Sequence, residues 1–98
     1  MIRHVLLLKA KTDATPAEID GVRAGLAELV GVIPGLLDFH WGENIAPVER
    51  RDGLTHGFSM DFVDRASLEA YGPHPQHVVA AARLRKVFER VVILDLEL

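Results

Sequence analysis

The chain has no cysteine, which removes disulfides, thiolate zinc sites and thiol nucleophiles from consideration. Aromatic residues are few, with one tryptophan, one tyrosine and four phenylalanines among 98 residues. No charge of one sign forms a block. Formal net charge is −3, and the densest basic run, Arg83, Arg85 and Lys86, gives way to Glu89. A nucleic-acid footprint needs a basic stripe, so no nucleic-acid partner is expected. Long apolar runs are missing too. The opening Met1-Ile2-Arg3-His4-Val5-Leu6-Leu7-Leu8-Lys9 falls far short of the ~18 residues a membrane span requires. No small-residue cleavage site follows it, so it reads as a strand and not as a signal peptide. A soluble, cytoplasmic protein with no membrane attachment is expected. Ser59 and Ser67 sit in no nucleophile elbow, and there is no glycine-rich phosphate loop. With no repeat and no linker, residues 1–98 make one domain.

What is present is a pattern that switches period five times, each time beside a breaker. Residues 2–9 are rich in β-formers and end at Lys11-Thr12-Asp13, which predicts strand one. Thr15-Pro16-Ala17-Glu18 then reads as an N-cap, a proline at the first helical position and a capping box. Ile19, Val22, Leu26, Leu29, Val30 and Ile33 follow at helical spacing, predicting a helix that stops near Gly31, ahead of Pro34-Gly35. Strand two is expected over 36–42, with Leu37, Phe39 and Trp41 on one face and Asp38 and His40 on the other. Residues 43–53 read as a loop. Strand three, over 54–62, puts His56, Phe58, Met60 and Phe62 on one face. Asp64 caps a short helix through Tyr71, Gly72-Pro73 and Pro75 interrupt, and a second helical piece runs over 74–88. The last strand, over 90–96, is apolar at nearly every position.

The order is β-α-β-β-α-β, an α+β, ferredoxin-like sandwich on a four-stranded antiparallel sheet. A strand apolar on both faces is covered on both, and two short helices cover only one face of such a sheet. A second copy packed sheet to sheet is the economical cover, giving a homodimer. An enclosed cavity for an apolar ligand is compatible with that arrangement.

Candidate chemistry rests on five histidines, one tyrosine, one tryptophan and the carboxylates. His74-Pro75-Gln76-His77, just after Tyr71, is the densest cluster. His74 and His77 are i, i+3 neighbours in a helix, but zinc helices use i, i+4 and no third ligand is apparent, so no metal is expected. His77 is the candidate general base, since imidazole titrates near neutrality. Alternatively His74 caps a helix start and His77 packs. His4 and His56 lie on apolar strand faces, either as satisfied core residues or pointing together into one polar spot of a pocket. Trp41 packs and lines the mouth of that pocket, while His40 faces solvent.

Together these residues resemble the stress-responsive dimeric α/β-barrel (Dabb) family over essentially the whole chain. The matching features are Ile2-Arg3-His4-Val5, Ile33-Pro34-Gly35, Trp41-Gly42, Thr55-His56, Tyr71 with His74-Pro75-Gln76-His77-Val78, and a closing apolar strand with Asp95. The resemblance implies a ferredoxin-like fold paired sheet to sheet into a dimeric α/β barrel. One member class, plant polyketide cyclases of the olivetolic-acid type, runs a cofactor-free intramolecular aldol condensation. By that likeness His77 is the base, Tyr71 orients the substrate, and His4, His56, His74 and Trp41 contact it, with no cofactor. Haem degraders on the same barrel need an asparagine, a tryptophan and an axial histidine in one pocket, and strand one here has no asparagine. The competing expectation is a non-catalytic stress-responsive dimer whose cavity is small or filled.

Overall fold

The structure, a computed structural model, describes residues 1–98. Its elements are β1 (Ile2–Ala10), α1 (Pro16–Ala27), β2 (Leu36–Glu43), a short 3-10 turn (Val48–Arg50), β3 (His56–Phe62), α2 (Arg65–Tyr71), α3 (Pro75–Val87) and β4 (Phe88–Glu97). No helix is long and apolar enough to cross a membrane.

Helix α1 starts where the capping box places it. The Glu18 amide donates to Thr15 Oγ1 at 3.1 Å, and the Thr15 amide donates to the Glu18 carboxylate at 2.9 Å. It ends at Ala27, a turn earlier than the spacing predicts. Beyond it the Leu29 amide bonds to the Leu26 carbonyl and the Val32 amide to the Leu29 carbonyl, a tighter i+3 pattern. Gly31 takes a positive φ of 86°. Leu29 and Ile33 are still buried, so the apolar spacing reported which residues go inside, while the backbone had already left the helix.

The sheet order is β2-β3-β1-β4, antiparallel throughout, with β1 and β3 in the middle. Ile2, His4, Leu6 and Leu8 of β1 share the helix-covered face with Phe58, Met60 and Phe62 of β3. Val22 and Leu26 of α1 and Leu84 and Val87 of α3 close over them. On β2 the expected face is corrected at one residue. The pairing slips between Leu36 and Asp38, so Leu36 goes inside and Leu37 bulges out, 54 % exposed. Phe39 and Trp41 recover the inner face after the bulge. Strand three starts at His56, two residues later than expected, although the Thr55 amide already bonds to the Leu8 carbonyl at 2.8 Å. Helix α3 passes into β4 at Phe88 with no loop between them.

The opposite face divides in two. Its β2–β3 half carries Asp38, His40, Ser59 and Asp61, with Arg3 paired to Asp61 at 2.9 Å. That guanidinium holds the Asp61 carboxyl below its usual range, chiefly through its hydrogen bond. Its β1–β4 half carries Val5, Leu7, Val92, Leu94 and Leu96, with Leu94 49 % exposed.

Gly35 holds the join between α1 and β2 at a φ of +80°, and a Cβ there would collide with the Ser67 side chain. Both the left-handed backbone and the contact penalise any side chain. Gly35→Ala should lower stability by at least about 1–2 kcal/mol, read as a fall in the urea midpoint at constant slope. An unchanged midpoint contradicts this account of the join.

Candidate active site

Three of the sequence-nominated side chains meet in one cavity of about 390 Å³, within the range of small-ligand sites. His4 projects into it from the inner face of β1. Tyr71 enters from the last residue of α2, and His77 from the first turn of α3. The Gly72-Pro73 break that separates the two helices folds Tyr71 and His77 against each other, with ring centroids 4.1 Å apart. Leu6, Leu26 and Phe58 form the buried end of the cavity, and Ile93 of β4, 59 % exposed, lies at its open side.

His77 Nδ1 lies 2.7 Å from the Gly72 carbonyl oxygen. A carbonyl oxygen only accepts, so Nδ1 carries the proton and Nε2 keeps its lone pair. His4 Nδ1 makes a 2.5 Å contact to the Asp95 carboxylate. His4 and Asp95 are directly paired across β1 and β4, so the register of the sheet sets this bond. It fixes the His4 ring and tautomer in the same way. The His4 ring meets Tyr71 and Phe62 edge-on at 6.0 and 6.2 Å.

The Tyr71 side chain is buried, and burial pushes its phenol well above the usual value of 10.0. No buried side-chain polar atom lacks a partner, and the Tyr71 hydroxyl, with no protein partner of its own, therefore reaches the cavity. It is a proton-bearing donor set among apolar walls.

His56 and Trp41 do not join this group. His4 pairs with Met60, and His56 pairs with Leu8. The two histidines therefore share a face but stand four residues apart along the sheet, about 13 Å. Phe58 lies between them. It lines the first cavity and stacks on Trp41 at 6.0 Å and 10°. Beyond it, Trp41 and His56 line a second cleft with Arg23 and Glu43. His56 Nδ1 is held 2.8 Å from the Thr55 hydroxyl, and its ring packs edge-on against Phe88. His74 is the N-cap of α3, where its Nδ1 accepts from the Gln76 amide at 3.2 Å. That bond occupies the ring nitrogen next to the backbone, and His74 does not line the cavity. His40 pairs with Asp38 at 2.9 Å on the opposite face. No three His, Asp or Glu side chains converge as a metal site.

Two residues given no site role from sequence belong to the site. Asp95 interrupts the apolar run over 91–96 of β4, and that interruption is its signal. Arg85 looked like part of a solvated basic run but lines the cavity.

The profile described as Stress responsive A/B Barrel Domain matches residues 2–98. Olivetolic acid cyclase of Cannabis sativa is 28 % identical over 94 residues, which cover 96 % of this chain and 93 % of that one. The structure of At3g17210 from Arabidopsis thaliana aligns with a TM-score of 0.93 at 30 % identity, covering 100 % of this chain and 95 % of that one. A dimeric ferredoxin-like protein of a Jannaschia species aligns with a TM-score of 0.87 at 28 % identity, covering 99 % and 98 %. The ferredoxin-like fold expected from sequence is therefore shared along the full chain.

Because the chain holds a single tyrosine, tyrosinate absorbance reads Tyr71 alone. The folded protein should show no tyrosinate until well above pH 10, and the unfolded chain should titrate near that value. Since the folded value is the higher one, the protonated phenol favours the fold below pH 10. That contribution is lost as pH rises further. A folded-state titration near the ordinary value contradicts the burial of this phenol.

Proposed function

The chain belongs to the stress-responsive A/B barrel domain family, and from that premise we propose that it binds a small apolar, polyketide-like molecule and moves a proton on it without a cofactor. The observation that carries this reading is the His77 imidazole. Its Nδ1 is committed to the Gly72 carbonyl, its Nε2 is bare, and it lines an apolar cavity beside a protonated phenol.

A carbon flanked by two carbonyls is the substrate group that suits this pair. His77 Nε2 takes the proton, and the C–H electron pair becomes an enolate. The Tyr71 hydroxyl donates a hydrogen bond to the enolate oxygen, in surroundings dry enough to strengthen it. The enolate carbon then bonds to another carbonyl carbon of the same molecule. The resulting alkoxide takes the proton back from Nε2, so the base is regenerated and no electrons are gained or lost. His4, braced by Asp95, positions the acceptor carbonyl. His56 and Trp41 serve substrate contacts only if the ligand passes Phe58 into the second cleft, so we assign the chemistry to His4, Tyr71 and His77. The similarity to olivetolic acid cyclase, 28 % identical over 94 residues, supports the assignment.

A homodimer belongs to the same proposal. The apolar stripe of Val5, Leu7, Val92, Leu94 and Leu96 is uncovered in one chain, and a second copy is self-complementary to it. The Jannaschia relative is dimeric.

The test is hydrogen exchange at C3 of nonane-2,4-dione in D2O, followed by NMR. The protein should accelerate exchange above the buffer rate. His77→Gln should remove about 100-fold or more of that acceleration while sedimenting at the parent's mass, twice 10.8 kDa if two chains associate. Equal exchange by parent and folded variant contradicts the general-base role. Unfolding of the variant, seen by circular dichroism, makes His77 a structural residue instead.

A further inference from the structure

We infer that the natural ligand of this cavity carries a carboxylate, held at the open side by Arg85, with its apolar part directed toward Phe58. The inference rests on the small-molecule reading above and adds the charge and polarity of the ligand to it.

Arg85 is the one formally charged side chain that lines the cavity, and no carboxylate lines it. Arg3, Arg23, Arg65 and Arg90 each pair with a carboxylate of the protein. Arg51 and Arg83 donate to the carbonyls of Ala46 and Gly21. Arg85, like Arg50, has no protein partner, and of those two only Arg85 lines this cavity. An arginine at a helix end often serves the helix dipole. Here Lys86, its neighbour in the last turn of α3, is available for that and does not line the cavity. Arg85 instead borders an apolar space with five donors unassigned.

The polarity of the cavity runs in one direction. Across the sheet the floor of the cavity passes from buried Phe58 through its partner Leu6, also buried, to Leu6's other partner Ile93, which is exposed, as is Arg85 on α3. An amphipathic molecule fits this gradient in only one sense, with its anionic group outward. A guanidinium matches a planar carboxylate with two parallel hydrogen bonds. A phosphate monoester brings nearly two charges, and no second lysine or arginine lines the cavity to meet them. A carboxylate held there leaves the remainder of the molecule alongside Tyr71 and His77, where the proposed proton transfer takes place. At the far end Phe58, stacked on Trp41, limits how long the apolar part can be.

The experiment compares octanoate, 1-octanol and octyl phosphate as probes on isotope-labelled protein. Binding is followed by NMR at the Tyr71, His77 and Ile93 signals. Octanoate should bind about tenfold or more tightly than 1-octanol at low salt, and the margin should shrink as salt is added. Arg85→Gln should abolish the margin by weakening octanoate alone, and Arg85→Lys should keep part of it. Equal binding of octanoate and 1-octanol overturns the Arg85 inference and leaves the cavity reading intact. A persistent margin in Arg85→Gln, or tighter binding of octyl phosphate than of octanoate, overturns it likewise. If no probe shifts the cavity signals, the small-molecule reading falls and this inference falls with it.

Discussion

A four-stranded sheet has two faces, and this chain has helices for only one of them. Most of the structure follows from that imbalance. Helices α1 and α3 cover the centre of the inner face, where Leu8, Met60 and Phe62 are sealed. They leave the β4 edge of the same face partly open, and the cavity lies there, between the inner strand residues and the first turn of α3. The outer face has no helix at all. Its apolar β1–β4 half and polar β2–β3 half set out a surface that one copy leaves wet and two copies can bury.

The chemistry grows from backbone features. A turn that cannot continue a helix, Gly72-Pro73, ends α2 at Tyr71 and restarts the chain at α3. Its free carbonyl at Gly72 then fixes the proton on His77 Nδ1. One interruption thus brings a phenol and an imidazole to 4.1 Å and sets the tautomer of the imidazole. Across the sheet, strand register does the same for His4 by placing Asp95 opposite it. Neither arrangement needs a long-range network. Each is a single hydrogen bond set by the backbone around it, and each leaves Nε2 as the free nitrogen.

The elements were legible where a side chain states its own backbone geometry. Thr15, Pro16 and Glu18 announced the start of α1, and Asp64 announced α2, because capping is a short-range hydrogen bond. Alternation in β3 predicted its inner face correctly. On β2 alternation placed Phe39 and Trp41 correctly and missed only Leu37, since a one-residue bulge there turns it outward and leaves no mark in composition. Among the site residues, Tyr71 and His77 were recognisable from their place beside a helix break, and the structure brings them together with His4. Of the two readings of His4 and His56, the one that points both into a single spot does not hold. Both sit on the correct face, but distance along a strand depends on which residues pair, and pairing is a tertiary property. His74 was visible as a cap from its position before Pro75. Arg85 was hidden because a basic run on a helix reads the same whether one of its members turns to solvent or to a cavity.

The central claim is that His77 presents a bare Nε2 to the cavity. Long-range proton–nitrogen NMR of the imidazole ring tests it directly, because the two tautomers give different nitrogen shifts and coupling patterns. In the folded protein with the ring neutral, the account predicts that His77 is protonated on Nδ1 alone. A ring protonated on Nε2, with Nδ1 bare, would contradict the bond to Gly72 and remove the base from the proposed mechanism.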